Sequence, residues 1–203
     1  LALKFLARAI FGHTEDKNWA TFVGNRDCGK GVLYELLKST FDNYVKTFDL
    51  IPPDWPSLYR TMPEFDFGNP PIDPNELAST LVETCKKHNG LGLSANQCGY
   101  EFRVFVMGAG DNYIACFNPK LISSEGESHL AEGCLSFPLL ELRITRPKTI
   151  TVEYQDWTGK VHNQKFTGLT ARIFLHELDH MNGIVYTDRV KPLALKSGIK
   201  KVE

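Results

Sequence analysis

The sequence predicts an α+β fold, with mostly antiparallel sheets around a central helix that bears an HExxH motif. Three observations carry this reading. The order of patterned segments after residue 72 is helix, several strands, helix, and not alternating βαβ units. A turn signal at residues 156–159 separates the last two strands, as a hairpin requires. The closing helix carries His176-Glu177-Leu178-Asp179-His180, two histidines at i and i+4.

With 203 residues the chain has room for one ordinary domain, or one domain with an appendage. Apolar residues make up 42% and charged residues 23%, which excludes general disorder. Lys+Arg number 23 and Asp+Glu 24, so no global field attracts polyanions, and direct nucleic-acid binding is not expected. No run approaches the roughly 18 apolar residues of a membrane span. Five scattered cysteines, Cys28, Cys85, Cys98, Cys116 and Cys134, form no CxxC pair. That pattern argues for a reducing compartment, here the cytoplasm, over a disulfide scaffold. Residues 1–11 read as an amphipathic helix interrupted by Lys4 and Arg8, not a secretion signal. Because the chain opens on Leu1, its natural start is expected to lie further upstream.

Along the chain, residues 1–50 form an N-terminal extension, with a strand expected at 19–23 and a helix at 32–48. Between them, Gly24-Asn25-Arg26-Asp27-Cys28-Gly29-Lys30-Gly31 resembles a P-loop fragment of a viral superfamily 3 helicase. Gly31 stands where the Mg²⁺-binding hydroxyl belongs, and the block is too short for an ATPase fold, so ATPase activity is not expected. The fragment reads either as a helicase-like remnant or as a chance glycine turn. Residues 51–74 are rich in proline and therefore extended or turning. Their aromatic residues, Trp55, Tyr59, Phe65 and Phe67, are expected to pack on the domain.

Asp73 followed by Pro74 and Glu76 opens a helix that runs to about His88 and stops at Asn89-Gly90. Strands are predicted at 103–107, 113–118, 144–154 and 160–167. A second helix covers about 170–181 and ends at Asn182-Gly183. After Lys191 the chain is read as stopping without a long C-terminal helix.

Two histidines four residues apart share a helical face and can bind one metal ion, and Glu177 can hold a water beside it. The third ligand separates classes of enzyme. Tyr186 stands where a metzincin has its third histidine, and downstream only the carboxylates Asp188 and Glu203 remain. The third ligand is therefore placed upstream, with His129 and Cys134 as the candidates.

Cys134 lies in Glu132-Gly133-Cys134-Leu135-Ser136, and Gly90-Leu91-Gly92-Leu93-Ser94-Ala95-Asn96-Gln97 precedes it. Taken with HELDH, these segments resemble the GxGxAAxQ-type loop, EGCLS and HExDH motifs of peptide deformylase, in the family's order. The resemblance covers roughly residues 51–195 and identifies 51–203 as a deformylase-like catalytic domain. Two positions depart from the family pattern: Ser94 where Ala is usual and Asn96 where Pro is common.

The resemblance implies a metal-dependent hydrolase that removes the formyl group from the N-terminal formyl-methionine of new polypeptides. It makes Cys134, His176 and His180 the metal ligands and Glu177 the general base. The Gln97 amide and the Leu135 backbone N–H become oxyanion donors. Gly92, Leu91, Ile173 and Glu132 become substrate-side residues, with Leu91, Ile173 and Phe137 as an apolar pocket. Glu132 is read equally as orienting a ligand histidine, and Arg146 as pairing with a carboxylate near the site or lying on the surface. The implied metal is Fe²⁺, with Zn²⁺ or Ni²⁺ as alternatives. The implied partners are formyl-methionyl nascent chains near the ribosome, met by a monomer with no membrane contact. Two rival readings are a different HExxH peptidase that cleaves internal bonds, and a nucleotide-binding module with a degenerate deformylase tail.

Overall fold

The structure, a computed structural model, describes residues 50, 51 and 53–200. The features expected at 1–11, 19–23, 24–31 and 32–48 lie outside the described residues. Among its described residues the proline-rich segment turns at 53–54, forms a 3-10 turn at Pro56–Tyr59, begun by a proline as its preset φ favours, and bends again at 67–69 and 71–72. Of its aromatic residues, Phe65 is buried and Trp55 and Phe67 are half-buried, whereas Tyr59 is 48% exposed, its hydroxyl donating to the Pro53 carbonyl. The Phe65 ring lies 5.1, 5.7 and 5.0 Å from those of Phe67, Phe102 and Phe117.

Helix α1, Pro74–Lys87, starts as its sequence predicts: the Asp73 carboxylate accepts a hydrogen bond from the Glu76 N–H at 2.9 Å. It ends at His88, with Asn89 in the left-handed region at φ 54°. Seven strands follow: β1 Gly92–Ser94, β2 Val104–Ala109, β3 Asn112–Glu125, β4 Ser128–Cys134, β5 Phe137–Arg146, β6 Thr149–Gln155 and β7 Val161–Thr167. Helix α2, Gly168–Met181, comes next, then a 3-10 turn at Tyr186–Arg189 and helix α3, Pro192–Ile199. The strands form an antiparallel five-stranded sheet in the order β1-β2-β3-β6-β7 and a separate β4-β5 ribbon. The α+β architecture is as predicted.

Burial along β2 explains why helices cover both faces of the larger sheet. Val104 and Val106 join the core beneath α1, with Leu77, Leu81, Leu93 and Phe117. Phe105 and Met107 point the other way and join Phe174, Leu178, Ile150 and Val152 beneath α2. Each fully buried large side chain of this kind contributes roughly 1.5–3 kcal/mol. Helix α2 is therefore central, and from Phe174 to Met181 every residue is buried. It stops at Asn182 and Gly183, whose φ of 71° and 2.7 Å clearance from the Arg60 backbone leave no room for a side chain.

The predicted elements differ from the structure at one split strand, two further strands and one further helix. The strand expected at 144–154 is two strands in different sheets, split at Pro147, which has no N–H to give a ladder. Strands β1 and β4 were not predicted, because β1 has three residues and β4 lacks apolar alternation. Helix α3 was not predicted, and at eight residues it is short. Pro192 sits in its first turn, and Leu195 packs towards Leu142, Ile144 and Tyr186. Among the described residues no helix is long and apolar enough to cross a membrane.

Candidate metal centre

Helical spacing puts His176 and His180 on one face of α2, with ring centroids 5.2 Å apart. Strand β4 approaches this face. Residues i and i+2 of a strand share a side, so Glu132 and Cys134 both reach α2, beside an irregularity in the β4-β5 register. Glu132 Oε2 lies 3.2 Å from His176 Nδ1, and Cys134 Sγ lies 3.4 Å from His180 Nε2. Ligand atoms of Cys134, His176 and His180 all fall within 4.8 Å of one another, and no other such group occurs among the described residues. His129, the other candidate third ligand, is not part of this group. It lies exposed on the ribbon, bonded to Thr145 Oγ1 at 2.7 Å.

A buried ion network holds this arrangement. Glu132 accepts from Arg146 Nε at 2.7 Å and Nη2 at 2.9 Å, and also from Arg172. Arg146 continues to Asp179 at 2.8 Å, and Arg189 pairs with the same carboxylate. Buried charges are tolerable when paired in this way. Burial would raise the Glu132 carboxyl, but the bonds from His176 and Arg146 hold it at about 2. Glu132, read from the sequence also as a substrate-side residue, thus faces inwards at 7% exposure with its oxygens engaged. Arg146 is not on the surface but is 5% exposed and paired.

The donor chemistry fits a divalent cation. Burial would lower His176, yet Cys134, Glu132 and Glu177 lift it to about 10, so the site favours positive charge at this point. His180 is pushed well below the ordinary value by burial and by the charges of His176 and Arg146, which keeps its imidazole neutral. A thiolate and imidazole nitrogens suit Zn²⁺ and Fe²⁺ alike. Glu177 Oε2, buried, has no hydrogen-bond partner among the described residues. Burial raises the Glu177 carboxyl to about 7 against the pull of His176 and Arg146.

The glycine loop sits directly over this carboxylate. A Cβ at Gly92 would lie 2.9 Å from both Glu177 Cδ and Ile173 Cγ2, so only glycine allows this approach. Gln97, in the 3-10 turn Ala95–Cys98, points its amide nitrogen at Ser136 Oγ (3.0 Å) and Cys134 Sγ (3.5 Å). The Leu135 side chain is half-buried against Gly90 and the core beneath α1. Leu91 is 42% exposed. Phe137 packs on Tyr186 and beside the cluster of Ile51, Leu58 and Val185.

Sequence reasoning missed Arg172, Asp179, Arg189 and Ser136. Arg172 and Asp179 stand at i−4 and i+3 from His176, so helical spacing alone could have placed them on its face.

A thiol and two imidazoles beside a buried carboxylate, on this α+β scaffold, define a metal-dependent hydrolase. Comparison with known proteins narrows the class. The profile of the polypeptide deformylase family matches residues 56–196, and the chain belongs to that family. It is 41% identical over 113 residues to the peptide deformylase of Thermotoga neapolitana, covering 55% of this chain and 69% of that one. Against that of Dictyoglomus thermophilum it is 39% identical over 122 residues, 60% of this chain and 80% of the other. The crystal structure of the Synechococcus elongatus peptide deformylase in complex with actinonin superposes with a TM-score of 0.71 at 28% identity, covering 77% of this chain and 86% of that one. The Thermotoga maritima peptide deformylase gives 0.65 at 32% identity, covering 72% and 99%. The activity is that of the family: hydrolytic removal of the formyl group from the N-terminal methionine of nascent polypeptides.

Proposed function

We propose that Cys134, His176 and His180 hold one Fe²⁺ ion, and that residues 51–203 are the catalytic domain carrying residues 1–50 as an extension. The observation that carries this is the meeting of three ligand atoms within 4.8 Å beside a buried, unpartnered carboxylate oxygen. When bound, the ion supplies Lewis acidity that makes water acidic enough to be deprotonated near neutral pH.

Glu177 takes the proton of the attacking water and returns it to the leaving amine. A carboxyl held near 7 can both accept and release a proton at neutral pH. Negative charge then grows on the formyl oxygen. The Gln97 Nε2–H, already beside Cys134, and the Leu135 backbone N–H donate to it. Glu132 fixes His176 through Nδ1, leaving Nε2 for the ion. Gly92 lets the peptide backbone approach Glu177. Leu91, Ile173 and Phe137 take the methionine side chain, and Ile173 flanks Gly92 beside the base.

The protein acts as a monomer on formyl-methionyl nascent chains. Such a substrate places the enzyme near the ribosome in the cytoplasm, without contact to nucleic acid or membrane. The test loads the purified protein with Fe²⁺ under anaerobic conditions, and separately with Zn²⁺ or Ni²⁺. Metal content and hydrolysis of formyl-Met-Ala-Ser are then measured together. The reading expects one equivalent of metal and the highest turnover with Fe²⁺. Cleavage of internal peptide bonds without deformylation would overturn it, and higher turnover with Zn²⁺ would overturn the choice of metal.

A further inference from the structure

The two positions at which the glycine loop departs from the family pattern, Ser94 and Asn96, are bonded to each other. Ser94 Oγ lies 2.8 Å from Asn96 Oδ1 and 2.9 Å from Gln97 Oε1, and all three side chains are at most 1% exposed. The hydrogen-bond inventory fixes the orientations. Asn96 Nδ2 donates to the carbonyls of Ser57 at 3.1 Å and His180 at 3.0 Å, so its oxygen must face Ser94. Gln97 Oε1 also accepts from the Ser94 backbone N–H at 2.9 Å. Its amide nitrogen is therefore forced towards Ser136 and Cys134, the side from which it serves the reaction. One hydroxyl proton is shared between two acceptor oxygens, and its position is set by an amide anchored on the last turn of α2, at the carbonyl of His180.

We infer that Ser94, anchored through Asn96 to the His180 carbonyl, is a positioning residue that aims the Gln97 amide at the developing oxyanion. The inference rests on the role proposed above for Gln97 and deepens it. An oxyanion donor acts in the transition state, so a loosened Gln97 lowers turnover and not substrate binding. Ser94→Ala keeps the backbone donor and removes only the hydroxyl. Its effect is therefore smaller than that of deleting Gln97.

The experiment compares the metal-loaded parent with S94A, S94T, N96A, Q97A, S94A/Q97A and S94A/N96A on formyl-Met-Ala-Ser, with metal content checked for each. The expected result is a kcat about tenfold lower in S94A with KM unchanged, and a kcat near the parent's in S94T, which keeps the hydroxyl. Asn96→Ala should lower kcat in the same way, and S94A/N96A should fall short of the product of the two losses. In the Q97A background S94A should cost less than twofold, because the group it aims is gone. A kcat in S94A within twofold of the parent, or the same tenfold loss with Gln97 absent, overturns the inference. A full product of losses in S94A/N96A breaks the link to Asn96. If Q97A turns over like the parent, the Gln97 reading falls and this one with it. If Q97A is impaired while S94A is not, only this inference falls.

Discussion

Glu177 has two properties rarely found together in one side chain: an exposure of only 3% and an oxygen with no hydrogen-bond partner among the described residues. Such a group costs stability and is retained where chemistry uses it. Glu177→Gln is nearly isosteric and leaves His176 and His180 untouched, so metal content should stay at the parent's level. Turnover should fall by at least the ~10²–10⁴ typical of a general base, because in the proposed mechanism one group serves both water and leaving amine. Elemental analysis and rate on the same sample check this. Loss of both together would make Glu177 a structural residue. Cys134→Ala tests the ligand set from the other side, and should lose the ion at micromolar chelator along with nearly all activity. At this scale the sequence was most legible, since HELDH and EGCLS encode their chemistry in spacings of a few residues. Arg172 and Asp179 stand on the face of His176 by helical spacing, but their partners were not legible. Arg172 meets its carboxylate at a sequence separation of 40 and Arg146 meets Asp179 at 33, distances over which no local pattern survives.

At the scale of elements, the site depends on the docking of β4 against α2, and the ion network between them is the fastener. Glu132 lies at its centre, and its depressed carboxyl sets a pH dependence whose sign can be worked out. The folded value is about 2 against an ordinary 4.5, so the unfolded chain binds the proton more readily. The stabilisation is complete above about pH 4.5 and is lost as pH falls towards 2, by about 3 kcal/mol over that window. Denaturant unfolding of the parent between pH 6 and 2 should show this loss. Glu132→Gln should be less stable at neutral pH, leaving Arg146 and Arg172 underpaired, and should show a flatter acid limb. An unchanged acid limb in the variant would assign the dependence to other carboxylates. The same ribbon shows why some elements escaped sequence reading. Strand β4 is Ser-His-Leu-Ala-Glu-Gly-Cys, with Glu132 and Cys134 facing α2, so polar residues of the candidate site replace the apolar alternation that marks a strand. The run from 144 to 154 looked continuous because both halves are β-rich, and only pairing with different partners divides it.

For the whole molecule, the question is where the catalytic unit begins. The family match starts at residue 56 and every proposed site residue lies beyond residue 90, so residues 1–49 should be dispensable for the reaction. The packing sets a finer limit than the family match. Ile51 is 2% exposed against Leu58 and Val185, and its N–H donates to the Gln97 carbonyl at 2.8 Å. Residues 50–51 therefore hold the 3-10 turn that carries Gln97, though they precede the matched region. A chain beginning at Leu50 should keep kcat/KM within tenfold of the full chain. A loss beyond about a hundredfold, ~2.7 kcal/mol, would show that the removed residues support the site. A chain beginning at Pro56 should fare worse than either. It gives up the burial of Ile51, roughly 1.5–3 kcal/mol, and leaves the Gln97 carbonyl without that donor. Its Tm should drop, and its kcat should fall more than its KM rises, because the backbone that carries the proposed oxyanion donor has been released. Equal Tm and kcat for the chains starting at Leu50 and Pro56 would show that the turn holds its place without Ile51.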